Sequence, residues 1–414
     1  MTKTEKYKIL YLVHDLYDPA VYKRVAMLKQ GGAEVTIAGF RRVAEPIYNI
    51  AGCYTLNLGQ TYNGGFVQRL FSVIREIIYL TKYYNSSFSY RLGFGISVDS
   101  DLKTNWYNNQ YNIFKNNDLI IARNLEMLAI GVRSRNLCKK KPILVYESLD
   151  IHRLLLNKGI VGKALRKLEG WLTKRASALI TSSPAFIREY FDKLSEVKLP
   201  IRLVENKVYN PEIEDNTVLV TDHIPSQPWK IGWFGAIRCR KSLDILTQLV
   251  KNSNGNVEII IRGRPSLDQF DDFYQATSSV SGLKFLGEYK NPDDLSSIYG
   301  EVHFTWAVDM FEEGLNSSWL LPNRLYEGCL YGSVPIAVAN VETGHFISNL
   351  GIGVTIKEPK IEFLTDFFKL LTEKNYCAMR ESLLKTPRTK WIHDSKDCHD
   401  LVMYLKSLNN VGDI

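Results

Sequence analysis

No apolar run in the 414 residues approaches the roughly 18 that a membrane-spanning helix needs. The opening "MTKTEKYKILYLV" passes from polar residues straight into a strand-like run, with no signal-peptide cleavage pattern. Six cysteines (Cys53, Cys138, Cys239, Cys329, Cys377 and Cys398) are scattered without CxxC spacing. They give no metal signature, and together with the missing leader they lead us to expect the reducing cytoplasm. The phosphate-loop pattern GxxxxGK[ST] is absent, as are short-period repeats and low-complexity tracts. What remains is ordinary globular material, 45% apolar and 23% charged, long enough for two or three domains with substantial cores.

The formal charge of +8 is unevenly placed. Residues 1–205 carry 31 Lys and Arg against 17 Asp and Glu, a net +14, and the remainder carries 21 against 27, a net −6. Halves of opposite sign suggest domains with different partners. A basic half suits an anionic membrane, an acidic substrate or nucleic acid, or only keeps the chain soluble. No nucleic-acid motif accompanies it, so no nucleic-acid partner is expected.

Apolar runs alternate with helical patterns. "YKILYLV" precedes a segment in which Val21, Val25 and Leu28 share a helix face, Gly31 and Gly32 stop it, and 35–38 resumes as a strand. Residues 119–122, 143–146, 178–181 and 201–204 read as further strands. Residues 206–228 contain three prolines and no period, and so read as a linker. At "WKIGWFG" the alternation restarts and runs through "VEIIIRG", "LKFLG", "VHFTWAV", "VPIAVA" and "GVTI". The expected organisation is an α/β domain over 1–205, a linker over 206–228, a second α/β domain over 229–388, and a closing helix and tail over 389–414. Two Rossmann-like parallel-sheet domains facing a cleft would place ligands beyond the strands' carboxyl ends.

Two strand-end segments of the second half carry chemistry. In "IGWFGAIRCRKSLDIL", Gly235 permits a tight turn, and Arg238, Arg240 and Lys241 follow just before a helix. Amides at a helix start with nearby cations suit phosphates, although a basic helix start can also simply face solvent. In "SWLLPNRLYEGCLYGSVPIA", Pro322 suits a first helical turn, and Asn323 and Glu327 lie four apart on one face. A carboxylate there can accept two hydrogen bonds from a ribose diol; the plainer reading pairs Glu327 with Arg324 at the surface.

These segments carry a resemblance. "PNRLYEGCLYGSVPIA" resembles the PNK-x-x-E-Y-x-x-x-G-x-P-V segment in the donor domain of GT-B glycosyltransferases. "LYDPAVYKRVAMLKQGGAEVTIAGF" resembles the opening of that family, "VENKVYNP" its inter-domain connection, and "IGWFGAIRCRKSLDIL" its first donor-domain loop. The likeness is greatest to bacterial transferases that extend exopolysaccharide or capsule repeats on a lipid carrier. It implies a nucleotide-sugar donor, expected to be a UDP-sugar, with Glu327 on the ribose and Arg238 and Lys241 on the diphosphate. Asn323, Arg324 and Gly235 complete the nucleotide site. Many retaining members carry a second glutamate eight residues before the first; here that position is Trp319, and Glu312, Glu313 or Asn316 would have to supply the sugar contact.

For the acceptor hydroxyl's proton, the first half offers "HDLYD" and "YESLDIH", each just after an expected strand. Asp150 is the first choice as base and Asp18 the second, with His152, Glu147 and His14 as orienting groups. Each could equally be a helix cap or a structural pair. No D-x-D pair stands in 229–388, so neither a metal nor a cofactor beyond the nucleotide-sugar substrate is expected. A nucleotide-sugar epimerase or hydrolase, or a non-catalytic sugar-nucleotide-binding subunit, are the alternative functions. Finally, "GGFVQRLFSVIREIIYLTKYY" (64–84) sets an apolar helical face between basic residues. It reads as a core helix or as a peripheral contact with the inner face of the cell membrane, where a lipid-linked acceptor would lie.

Overall fold

The computed structural model describes residues 6–43, 45–60, 116–138, 140–212 and 225–411. The 64–84 segment lies outside the described residues. The chain divides into two compact units, one of Met1–Ser182, Ile187–Val204 and Asp394–Ile414, the other of Ser183–Phe186 and Glu205–His393.

In the first unit the described strands are β1 (Lys8–Val13), β2 (Glu34–Arg41), β3 (Asn49–Ile50), β4 (Cys53–Gln60), β5 (Leu119–Arg123), β6 (Ile143–Ser148), β7 (Ala178–Thr181) and β8 (Ile201–Leu203). Helices α1 (Pro19–Gln30), α2 (Asn124–Leu137), α3 (Arg153–Leu156) and α4 (Ile160–Thr173) separate them. The sheet order is β3-β4-β2-β1-β5-β6-β7-β8, parallel except for the β3–β4 hairpin. Strands buried on both faces need continuous apolar runs, and "ILYLV", "LIIA" and "ALIT" supply them. The face expected for α1 is the one that packs, since Val21, Val25 and Leu28 are all buried.

The second unit opens with β9 (Val208–Tyr209) and continues with β10 (Trp229–Ile237), α5 (Arg240–Asn252), β11 (Val257–Pro265), α6 (Phe273–Ser278), β12 (Leu283–Phe285), α7 (Leu295–Gly300) and β13 (Phe304–Trp306). Then come α8 (Asn323–Leu330), β14 (Val334–Val338), α9 (Glu342–Asn349), β15 (Val354–Ile356), α10 (Ile361–Leu370), α11 (Glu373–Leu384) and β16 (Ile392–His393). Its parallel six-stranded sheet has the order β12-β11-β10-β13-β14-β15. Counted within the unit this is 3-2-1-4-5-6, the Rossmann order, so strand order reverses between β10 and β13. Each face of the sheet has its own core: Trp233, Phe304 and Trp306 belong to one cluster, Phe234, Tyr299 and Leu325 to the other.

Two elements depart from the sequence reading. Within 206–228, Val208–Tyr209 is a strand paired in parallel with Ile392–His393, a partner nearly two hundred residues away that no local pattern reveals. The closing segment is a strand followed by α12 (Ser395–Ser407), which starts later than the expected 389 because Asp394 caps it, accepting from Asp397 N at 2.8 Å. Helix α12 packs on α1 of the first unit. A Cβ on Gly31 would fall 2.3 Å from the Cys398 carbonyl oxygen, so glycine is required at that crossing.

Candidate active site

At the reversal point of the second sheet, Gly235 lies within β10, which runs on paired with β11 to Ile237, and not in a tight turn after the strand as the sequence suggests. Gly235 has φ +104°, and a Cβ on neighbouring Gly263 would lie 1.9 Å from the Gly235 carbonyl oxygen. Beyond it Arg238 lies over the Phe311 ring, 4.6 Å from the centroid. The Cys239 thiol, not a hydroxyl or carboxylate, caps α5 by accepting from Ser242 N at 3.3 Å. Lys241, one turn on, reaches Glu313 at 2.7 Å across an exposed pair. Arg238 and Lys241, the two cations assigned to a diphosphate, therefore both meet side chains of the 309–319 segment.

Helix α8 approaches β13 closely because residue 328 is glycine; a Cβ there would stand 2.3 Å from Thr305 Oγ1. The approach buries Glu327, which is no surface acid. Its Oε2 accepts from the Tyr299 hydroxyl at 2.8 Å and its Oε1 from Asn291 Nδ2 at 3.1 Å. Tyr299 itself is fully buried and stacked at 12° on Tyr331, so the carboxylate is held from a rigid base. Burial and the Glu327 charge push the Tyr299 hydroxyl well above its ordinary pKa, so it stays protonated and donates. Pro322 takes the cap position and Asn323 is the exposed first residue of α8.

Arg324 turns inward. Its Nη2 donates to the Val308 carbonyl at 2.9 Å and lies 3.4 Å from Asp309 Oδ2, while its buried Nε has no hydrogen-bond partner among the described residues. Asp309, three residues past β13, was not singled out by sequence reasoning. Ser317 Oγ donates to its Oδ1 at 2.6 Å and Phe311 N at 3.1 Å. Burial alone opposes its ionisation, but Arg324, Ser317, Arg238 and the Phe311 amide together hold its carboxyl below the ordinary 3.8. The signal available was an acid directly after the apolar run "VHFTWAV". Asn316 is buried in the same segment and Glu313 is exposed.

A folded-state value below the unfolded one means that Asp309 stabilises the fold above the unfolded pKa, and that this contribution is lost as pH falls through the folded value. Asp309→Asn is therefore expected to lower the melting temperature at pH 7 and to flatten its fall between pH 5 and 3. Melting curves across that range check it; a parallel fall in both proteins would exclude Asp309 as an ionised anchor.

In the first unit the carboxyl ends of β1, β5 and β6 carry a charged network. Glu147 is fully buried, accepting from Arg24 Nε at 2.7 Å and from the Tyr11 hydroxyl. Asp18 caps α1, accepting from Ala20 N at 2.9 Å, and its other oxygen pairs with buried Arg123 at 2.9 Å. His14 lies with Nδ1 3.0 Å from Asn124 Nδ2, and burial lowers its pKa, so the imidazole is neutral at pH 7. Asn124 holds that position with φ +71°, which asparagine tolerates better than most residues. Asp150 is exposed two residues after β6, and the Ser148 hydroxyl donates to its carbonyl at 3.3 Å. His152, also exposed, accepts from Leu154 N at 3.3 Å and so caps α3.

No protein-family model matches the chain. Among solved structures, the chain is similar to Anabaena HepE in complex with UDP, with a TM-score of 0.65 and 13% identity over 97% of this chain and 99% of that one. It is similar also to sucrose-phosphate synthase from Thermosynechococcus elongatus, with a TM-score of 0.64 and 12% identity over 98% and 100%. Both likenesses speak for the fold. In sequence, the chain is 43% identical to the succinoglycan biosynthesis protein ExoL of Rhizobium meliloti (strain 1021), over 97% of this chain and 94% of the relative. The chain belongs to the family of the succinoglycan biosynthesis protein ExoL. The expected α/β class with parallel-sheet domains thus stands. In this ExoL relative, no helix among the described residues is long and apolar enough to cross a membrane.

Proposed function

We propose that this ExoL-family chain moves a glycosyl group from a UDP-sugar to a lipid-linked saccharide that grows into a cell-surface polysaccharide. The observation that supports the donor reading is the gathering of Glu327, Arg324, Asp309 and Arg238 beyond the carboxyl ends of β10 and β13, where Rossmann-ordered sheets take nucleotides. UDP in the Anabaena HepE structure points to the same base. In this reading Glu327, steadied by Tyr299 and Asn291, accepts from the ribose hydroxyls. Asn323 and Gly235 border the nucleotide. Arg238 and Lys241 take the diphosphate, Lys241 by exchanging its exposed pair with Glu313, a pair worth only about 0–1 kcal/mol. Asn316 and Glu313 face the sugar.

In the transfer, an acceptor oxygen bonds to the anomeric carbon as the bond from that carbon to the diphosphate oxygen breaks. The bonding pair leaves with UDP, and Arg238, Lys241 and the amides of 323–324 absorb its charge, a task that asks for no metal. The hydroxyl proton goes to a carboxylate acting as general base. Asp150, exposed just beyond the carboxyl end of β6, is the first choice for that role, and Asp18, at the start of α1, is the second. His152 stands beside Asp150 in sequence. Attachment to the inner membrane face through 64–84 belongs to the same reading.

Thermal unfolding with a panel of nucleotides tests the donor. A ligand that binds only the folded state raises its melting temperature, so UDP and at least one UDP-sugar should stabilise the chain where CDP, GDP and dTDP do not. Stabilisation by another nucleoside diphosphate instead would overturn the base assignment.

A further inference from the structure

Between α3 and α4 the first unit displays apolar side chains outward on a braced turn. Asn157 Oδ1 accepts from Gly159 N at 2.7 Å, and Arg166 Nη1 donates to the carbonyls of Leu155 and Asn157 at 2.5 and 3.0 Å. A Cβ on Gly162 would lie 1.9 Å from the Asn157 carbonyl oxygen, so only glycine lets α4 begin against the turn. Held in this way, Ile160 is 86% exposed, Val161 50% and Leu154 37%. Single exposed aliphatics are common, but three gathered on a fixed turn form a patch.

The charge around the patch has one sign. Arg153, Lys158, Lys163 and Lys167 are exposed, and none makes an ion pair among the described residues. There is no Asp or Glu from 151 to 168. The first acid after it, Glu169, is turned inward and accepts from Tyr146, Tyr190 and Ser195. Aliphatic tips ringed by unpaired cations complement an anionic bilayer: the side chains enter the headgroup boundary and the ammonium groups meet lipid phosphates.

We propose that the 153–167 surface docks the protein on anionic lipid. In sequence it lies apart from the 64–84 segment. It deepens the lipid-linked acceptor reading and rests on that reading in one respect: Asp150 and His152 immediately precede the turn, so docking would bring the base to the headgroup level where such an acceptor presents its sugar.

Co-sedimentation of the full chain with phosphatidylcholine vesicles, with and without phosphatidylglycerol, tests the proposal at low and high salt. The unaltered protein should pellet with the anionic vesicles at low salt and be released by high salt. Ile160→Ser with Val161→Ser should weaken partitioning about tenfold. Lys158→Glu, Lys163→Glu and Lys167→Glu together should weaken it on the order of 100-fold, at about fivefold for each cation removed near an anionic surface. Each variant should keep the unaltered melting temperature and UDP affinity. If either variant pellets as the unaltered protein does, or if that protein ignores anionic lipid, the proposal is overturned. Vesicle binding that follows these substitutions in a protein without UDP affinity would uphold the docking surface and refute the donor reading instead. The lysine variant, confined to exposed side chains, carries the test should the serine variant fold poorly.

Discussion

Asp150→Asn should lower transfer at least about 100-fold while leaving UDP affinity unchanged, since a general base typically contributes 10²–10⁴-fold. Asparagine keeps the size of the side chain and, because the Ser148 hydroxyl bonds the backbone carbonyl, it keeps that local contact too. Asp18→Asn should behave differently. Asparagine caps helices well, so α1 would survive, but buried Arg123 would lose its negative partner and stability would drop. Turnover by the Asp18 variant should follow its folded fraction. Paired measurements of single-turnover rate and melting temperature separate the two residues. Normal turnover by the Asp150 variant, with transfer abolished in a stable Asp18 variant, would reverse their order.

Glu327→Ala should weaken UDP binding by about 1–3 kcal/mol, a 5- to 150-fold loss, the cost of removing a charged acceptor from a ribose. The same change leaves the Tyr299 hydroxyl and the Asn291 amide without their acceptor, so some stability is lost as well. Glu327→Gln keeps the shape and separates the effects, since it should hold the melting temperature closer to the unaltered value and still weaken UDP. Calorimetric titration with UDP on both variants decides; unchanged affinity in a folded Glu327→Ala protein would remove Glu327 from the nucleotide site.

How far the sequence could be read followed the range of the interactions involved. Strands buried on both faces announce themselves as apolar runs, so β5, β6 and β7 lie within two residues of their expected bounds. The two-residue β9 carries no such run, and its pairing with Ile392–His393 is set by burial of Trp391 and Ile392 far along the chain. The segment around Glu327 was legible because Pro322, the i, i+4 spacing and Gly332 are local signals. The supports of that carboxylate were not, since Tyr299 and Asn291 reach it from other elements. Asp309 was missed for a similar reason. Its importance comes from Arg324 on α8, Ser317 in the loop after β13 and Arg238 just past β10, none adjacent to it in sequence.

The most direct test of the account is transfer itself. The full chain would be incubated with sugar-labelled UDP-sugars and a lipid extract from cells that make the polysaccharide but lack this protein, and label would be followed into the lipid phase. One UDP-sugar should transfer its label to lipid, with one UDP released per sugar, and both products should disappear with Asp150→Asn. Release of free labelled sugar at the same rate with or without lipid would make the chain a hydrolase and contradict the account.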